Sequence, residues 1–209
     1  MKRRILSAVL FVFFALSLAT PALATTTINF WYSDKTSVYY TPYDGSYYIY
    51  NLSTDSTFGT YFQAAVSHAA TQWNAVLPFS VSETSFNYAL NYVYGGTRSQ
   101  LLDAFPDLPT SVTGRTRTVP SGESTTMTYM GSPRTVSALQ AGSRMCVVEI
   151  SGRTANGYKN TATHEMGHLF GWYGHSPLET DIMYDIATEI TTLTSRDKTH
   201  LKQIYDLFY

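Results

Sequence analysis

Apolar residues recur at helical spacing in three stretches of the chain, which predicts three long helices. The first covers residues 58–76 and ends before Pro78. The second surrounds His164 and ends at Gly171, since glycine tolerates the positive φ angle that often follows a helix. The third covers residues 193–205. The side chains that we expect to face the core are Phe62, Ala65, Val66, Ala69 and Trp73 in the first helix, Ala162, Met166, Leu169 and Phe170 in the second, and Leu201, Ile204, Tyr205 and Leu207 in the third.

Runs of β-forming residues predict strands between these helices. The tyrosine-rich segment 37–50 contains Asp44-Gly45, a turn signal typical of a β-hairpin. Its tyrosines line a half-exposed hairpin in the simpler interpretation and bind carbohydrate or peptide in the alternative one. The other predicted elements are strands at 28–32, 79–83, 87–94, 127–129, 135–138 and 145–150, and a short helix at 97–105.

Residues 1–24 have the pattern of a secretory signal peptide. Three basic residues precede the apolar run 5–18, and Ala22-Leu23-Ala24 offers a cleavage site. An uncleaved membrane anchor is the alternative, but the apolar run is short for a helix that spans a bilayer. We therefore expect a secreted protein in which residues 25–209 form one domain, with no membrane association after the signal peptide is removed.

The composition excludes two classes of partner and one kind of stabilisation. Three of the 14 basic residues lie in the predicted signal peptide, which leaves 11 against 15 acidic residues, a formal charge of about −4. Neither nucleic acid nor an anionic membrane surface is therefore an expected partner. Cys146 is the only cysteine, so the chain folds without an internal disulfide, and we expect this side chain to pack in the core.

The second helix carries the clearest chemical signal. His164, Glu165 and His168 form an H-E-x-x-H motif, and residues four apart on a helix lie about 40° apart around its axis. Both imidazoles can therefore bind one metal ion. Neutral imidazole suits Zn²⁺, a catalytic zinc site has three protein ligands and one open position, and Glu165 can reach a water there as general base. The pentapeptide alone also fits two solvated histidines on an amphipathic helix.

A third ligand is needed to complete such a site. His175 is the expected residue, because the chain can turn back at Gly171; Glu179 and Glu189 are the alternatives. We interpret His68 as a surface or core residue and His200 as an exposed one. A second hypothesis is a secreted binding protein that holds zinc for structure and presents its tyrosine-rich surface. A closed four-ligand site would favour that hypothesis, whereas the carboxylate beside the two histidines argues against it.

The longer pattern resembles that of the metzincin zinc peptidases, H-E-x-x-H-x-x-G-x-x-H followed by a methionine-containing turn. Within that group, His175-Ser176 and the sequence D-I-M-Y at 181–184 are most similar to the matrixin-like branch. The chain departs from the usual spacing, because His175 stands eleven residues after His164 instead of ten. The additional residue lies within 172–174, as in bacterial matrixin-like sequences.

The resemblance implies an α+β, zincin-like domain with a twisted mixed sheet, backed by helix 58–76 and the active-site helix, and a small C-terminal subdomain after Gly171. It also implies that segment 108–143 contains a strand flanking the substrate. The implied function is that of a zinc endopeptidase that acts on proteins or peptides.

The resemblance also assigns roles to single residues. It implies zinc ligands at His164, His168 and His175, and Glu165 as the general base. Met183 would form the methionine turn, and Asp197 at the start of the last helix would anchor the backbone of that turn. Metzincins with a tyrosine ligand carry it two residues after the methionine, where this chain has Asp185, so Tyr184 is not expected to bind zinc. No calcium-binding motif is recognisable, so Ca²⁺ remains an open alternative.

Overall fold

The computed structural model of the protein describes residues 37–129, 132–206 and 209. The predicted signal peptide, the predicted strand 28–32 and the side chain of Leu207 lie outside the described residues. The described chain has an α+β fold, as predicted, and its strands form two β-sheets where one was expected. None of its helices combines the length and the apolar character that a membrane crossing requires.

Most connections between the elements are short, except for residues 102–113 and 170–194. In chain order, the elements are β1 (Ser37–Tyr40), β2 (Gly45–Asn51), α1 (Ser56–Asn74), β3 (Val81–Glu83), a 3₁₀ turn (Phe86–Tyr88), β4 (Asn91–Gly96), α2 (Arg98–Leu101), β5 (Gly114–Arg117), β6 (Pro120–Tyr129), β7 (Ser132–Leu139), β8 (Ser143–Val148), α3 (Ala155–Leu169) and α4 (Ser195–Tyr205).

The larger sheet has five strands in the order β3-β2-β4-β8-β5. Strands β3, β2, β4 and β8 are parallel, and β5 runs antiparallel to β8 at one edge. The smaller sheet has the order β1-β7-β6, with β1 parallel and β6 antiparallel to β7. The prediction of a mixed sheet is confirmed, and the antiparallel edge strand β5 proves important for the site.

The predicted hairpin at 37–50 is wrong. A turn does form at Asp44, whose carboxylate accepts a hydrogen bond from the backbone N–H of Ser46 at 2.9 Å. The strands on either side then enter different sheets, because β1 pairs with β7 and β2 pairs with β3 and β4. A local turn signal does not report such long-range pairing.

Helices α1 and α3 pack against each other, and their buried faces join those of the larger sheet in one main hydrophobic cluster. The side chains predicted to face the core on both helices are buried. Gly167 on α3 allows close packing, since a Cβ there would lie 2.7 Å from the Trp73 ring and 2.6 Å from Met183 Sδ. The Trp73 indole N–H also donates to the Thr163 carbonyl oxygen at 2.8 Å, which fixes the two helices relative to each other.

Helix α4 shares this main cluster through Leu201, Ile204 and Tyr205. The segment after Gly171 therefore has no separate core of its own within the described residues. The predicted exposure of His200 is wrong: its side chain is only 2% exposed and its ring lies 4.0 Å from that of Trp172, centroid to centroid. The buried face of α4 is wider than its stripe of apolar residues. His200 lies on this face beside the stripe, so the spacing of the apolar residues does not predict its burial.

Strand boundaries also differ from prediction. The expected strand at 87–94 begins instead with the 3₁₀ turn Phe86–Tyr88, and the strand proper is Asn91–Gly96. Strand β5, with the sequence Gly-Arg-Thr-Arg, was not predicted, because it contains no apolar residue and hence no alternation. Strands β6 and β7 include the predicted segments 127–129 and 135–138 but are longer.

Candidate metal centre

Helix α3 and the turn after it position the candidate ligands. The helix begins after Thr154, whose hydroxyl oxygen accepts a hydrogen bond from the backbone N–H of Gly157 at 2.9 Å. Beyond the helix, Gly171 has a φ angle of 103° and Gly174 one of 81°, conformations that glycine adopts far more readily than other residues. These two glycines turn the chain back, so that His175 faces the helix.

The structure brings His164, His168 and His175 together. One ring nitrogen from each lies within 4.8 Å of the others, and the ring centroids are 4.7 to 5.2 Å apart. In the described part of the chain this is the one group of three side chains that could hold a metal ion. The alternative ligands do not join it: Glu179 is exposed, and Glu189 accepts a hydrogen bond from the Thr154 hydroxyl.

Backbone carbonyl groups orient two of the rings. Nδ1 of His164 lies 2.9 Å from the Ile182 carbonyl oxygen, and Nδ1 of His168 lies 2.9 Å from the Trp172 carbonyl oxygen. A carbonyl oxygen only accepts, so each Nδ1 carries the proton and donates it. Each Nε2 is then unprotonated and has a free lone pair. This is the tautomer that a histidine needs to bind a metal ion through Nε2.

A bound metal ion would explain why the unprotonated nitrogens of His164 and His168 lie so close together. Nε2 of His164 lies 3.1 Å from Nε2 of His168, and with both protons on Nδ1 neither nitrogen can donate to the other. Two lone pairs at this distance repel each other, and a cation between them removes the repulsion. Imidazole nitrogens that bind one zinc ion at 2.0–2.1 Å lie at most about 4 Å apart, so the pair His164 and His168 fits a metal ion of this kind. A ring nitrogen of His175 lies within 4.8 Å of this pair.

Burial keeps the three imidazoles neutral. It lowers the pKa of His164 to about 4, and it also lowers the pKa of His168 and of His175 below the usual histidine value. The neighbouring imidazoles act in the same direction on His164 and His168. Since a metal binds only the deprotonated ring, the site is ready to accept one at neutral pH without first losing protons.

Glu165 lies beside the histidines and is 7% exposed. Burial raises the pKa of its carboxyl group to about 7, while the Thr116 hydroxyl and the Arg115 guanidinium act in the opposite direction. The Thr116 hydroxyl lies 2.7 Å from Glu165 Oε2, to which it donates. Gly114 allows β5 to approach α3 closely, since a Cβ there would lie 2.7 Å from Glu165 Cγ.

His164, Glu165 and His168 of the H-E-x-x-H motif and His175 line one cleft of about 610 Å³. Its walls are α3 on one side, β5 with the residues before it on another, and the segment 184–187 on a third. The histidines and Glu165 are predictable from their spacing in the sequence. Thr116 and Gly114 are not, because they reach the site only through the pairing of β5 with β8, which places β5 alongside α3.

Two buried carboxylates, Asp181 and Asp197, hold the turn 181–184 in place next to the histidines. Met183 is fully buried, and its backbone N–H and that of Ile182 donate to the Asp197 carboxylate at 3.3 and 3.0 Å. The contact between Asp197 and this turn, expected from the sequence, is therefore present. Asp181 is buried as well and accepts hydrogen bonds from Ser176, Thr194 and Arg196, which tie the turn to both neighbouring segments.

Compared with models of known protein families and with curated proteins, the chain matches none of them.

Proposed function

We propose that this chain is a secreted, zinc-dependent endopeptidase with a zincin-like fold, of the matrixin-like branch of the metzincins. The observation that carries the proposal is the convergence of His164, His168 and His175 on one point, next to the buried carboxylate of Glu165, in an open cleft. Three neutral imidazoles with no fourth ligand are typical of catalytic zinc sites.

The three histidines would hold the zinc ion through their unprotonated ring nitrogens. Zinc bound there supplies Lewis acidity to a water molecule and to the carbonyl group of a peptide. The carbonyl groups of Ile182 and Trp172 hold two of the rings in the required tautomer. Turn 181–184 and Asp197 keep the Ile182 carbonyl in place.

Glu165 is the residue that moves a proton. Its carboxylate takes a proton from the attacking water and then passes it to the amine that leaves. Thr116 donates a hydrogen bond to Oε2 and so fixes the direction in which the carboxylate points. A general base works best when its pKa is near the working pH, and the burial of Glu165 raises its pKa towards that range.

Strand β5 is suited to hold the substrate. It forms one edge of the five-stranded sheet, pairs with β8 on one side only within that sheet, and lines the cleft at Gly114–Thr116. An extended peptide can add to such an edge by backbone hydrogen bonds. A peptide bound there passes directly in front of Glu165.

The alternative is a binding protein that uses zinc for structure. A structural site is closed by four protein ligands. In the described residues, no fourth histidine, cysteine or carboxylate joins the three imidazoles. The open cleft at the same point favours the enzyme.

Replacement of Glu165 by glutamine tests the proposal. Glu165→Gln should retain about one zinc per chain, while hydrolysis of peptides falls by about 10²–10⁴-fold, the usual contribution of a general base. Glu179→Gln is the matched control, because this glutamate is exposed, and it should cleave like wild type. Hydrolysis by Glu165→Gln within about tenfold of wild type would contradict the assigned role. A wild-type protein that cleaves no peptide would favour the binding protein.

A further inference from the structure

The cleft extends from the histidines along α3 to a second functional group, the guanidinium of Arg153. Nη2 of Arg153 donates to the Gly157 carbonyl oxygen and to the Thr161 hydroxyl oxygen, both at 2.7 Å. Thr161 precedes His164 by three residues, which is about 4.5 Å along the helix axis. The positive charge is therefore roughly one helical turn from the metal ligands.

The position of this guanidinium is fixed on several sides. Its carbon Cζ lies 5.7 Å from the centroid of the Tyr158 ring. The absence of a side chain at Gly157 makes room for it, since a Cβ there would lie 3.1 Å from Nε of Arg153. Together with the two hydrogen bonds of Nη2, these contacts hold the group in one orientation without a bound ligand.

Part of its hydrogen-bonding capacity is unused. The Nε atom of Arg153 is buried and has no hydrogen-bond partner among the described residues. In the same part of the chain no carboxylate forms a salt bridge with Arg153. The Glu189 carboxylate acts on Arg153 only at longer range, and its Oε2 accepts a hydrogen bond from Thr154.

The other guanidinium of the cleft is different. Arg115 lies 3.5 Å from the Asp107 carboxylate, which it shares with Arg117, and its side chain is 41% exposed. Its guanidinium therefore already has a carboxylate partner and is in contact with water. Among the described residues, Arg153 has no such carboxylate partner.

We infer that Arg153 binds the carboxylate of an acidic side chain next to the cleaved bond, so that the substrates are peptides with glutamate or aspartate at that position. In naming a substrate class, this inference rests on the proposed function. A guanidinium binds a carboxylate through paired, charge-assisted hydrogen bonds. An apolar side chain in the same place has no acceptor for these hydrogen bonds.

Two peptides that differ only in the residue next to the cleaved bond provide the test. One carries glutamate and the other glutamine, placed on each side of the bond in turn. We expect wild type to favour glutamate on one side by about tenfold to hundredfold in kcat/KM, the range of a charge-assisted hydrogen bond. In Arg153→Met this preference should fall to about threefold or less.

Arg115→Met is the matched control. It removes a guanidinium from the same cleft, but one that is paired with Asp107, so the preference for glutamate should remain. Equal cleavage of the two peptides by wild type overturns the inference, as does an unchanged preference in Arg153→Met. The wild-type comparison requires no variant, so it decides the question even if Arg153→Met does not fold.

Binding supplies a readout that does not depend on turnover. Fluorescence anisotropy with labelled forms of the two peptides, measured on Glu165→Gln, should give a Kd about tenfold lower for the glutamate peptide. Arg153→Met in that background should remove the difference. Cleavage without preference contradicts the role of Arg153 and leaves the proposed function intact. Selective binding by a wild-type protein that cleaves nothing contradicts the proposed function and leaves the acidic-peptide site intact.

Discussion

At the scale of single residues, one hydroxyl group sets the direction of the candidate general base. The Thr116 hydroxyl lies 2.7 Å from Glu165 Oε2 and 2.9 Å from the backbone carbonyl oxygen of the same residue. Arg115 contributes only at longer range, through its effect on the pKa of Glu165. The orientation of the carboxylate therefore depends mainly on a residue of the edge strand.

Thr116→Val tests this dependence, because valine keeps the shape of the side chain and removes the donor. We expect kcat/KM to fall by about tenfold to hundredfold, since a hydrogen bond to a charged group is lost. Zinc content should not change. Thr116→Ser keeps the hydroxyl and is the control. Activity of Thr116→Val within about twofold of wild type would show that Glu165 needs no such support.

The residues of the site differ in how far the sequence predicts them. The three histidines and Glu165 follow from spacing along one helix and one turn, which are local properties. Thr116 reaches the cleft through strand pairing, which has no local signal, and no local pattern indicates that Arg153, just before α3, lines the same cleft. His200 was misplaced for a related reason: its burial depends on Trp172, a residue of another segment.

At the scale of elements, the turn 181–184 is held by the start of α4. The Asp197 carboxylate accepts hydrogen bonds from the backbone N–H groups of Ile182, Met183 and Thr194, and it is fully buried. Burial raises the pKa of Asp197, and the hydrogen bonds from Thr194 and Ile182 act in the opposite direction. The helix and the turn are thus joined through one charged group.

Asp197→Ala should lower the free energy of unfolding by about 1.5–3 kcal/mol, because buried N–H donors lose a charged acceptor. An exposed charge at a helix end contributes only about 0.3–1 kcal/mol. Asp206→Ala, which removes an exposed carboxylate at the other end of α4, is the control. Denaturant titration of both variants decides between the two values, and a similar small loss in each would contradict the proposed anchor.

The helices were predictable to a greater degree than the strands. Apolar spacing identified α1, α3 and α4 because a helix satisfies its hydrogen bonds within one segment. The hairpin at 37–50 failed because the partners of β1 and β2 lie far along the sequence. Strand β5 gave no signal at all, although it carries Thr116.

At the scale of the whole molecule, the C-terminal helix connects the beginning of the described chain with the end of α3. The Tyr205 hydroxyl donates to the Phe170 carbonyl oxygen at 2.7 Å and accepts from the Thr41 N–H at 3.1 Å. Its side chain is almost completely buried. One hydroxyl therefore joins the connection after β1 to the turn that leads to His175.

Tyr205→Phe should lower the free energy of unfolding by about 1–3 kcal/mol, because two buried backbone groups lose their partner while the ring remains. Tyr88→Phe removes the hydroxyl of a side chain that is 76% exposed and is the control. It should change stability by no more than about 0.5 kcal/mol. Equal stability of the two variants would show that the hydroxyl of Tyr205 contributes nothing to holding these segments together.

Zinc titration of the metal-free protein, with peptide hydrolysis as the readout, tests whether the three histidines hold a catalytic zinc ion. Hydrolysis should be absent without metal, rise in proportion to added zinc and reach a plateau at one zinc per chain. His175→Ala should bind zinc orders of magnitude more weakly and remain inactive, whereas Glu189→Gln should behave like wild type. Hydrolysis by the metal-free protein at the same rate, or full zinc affinity in His175→Ala, would contradict a three-histidine zinc peptidase.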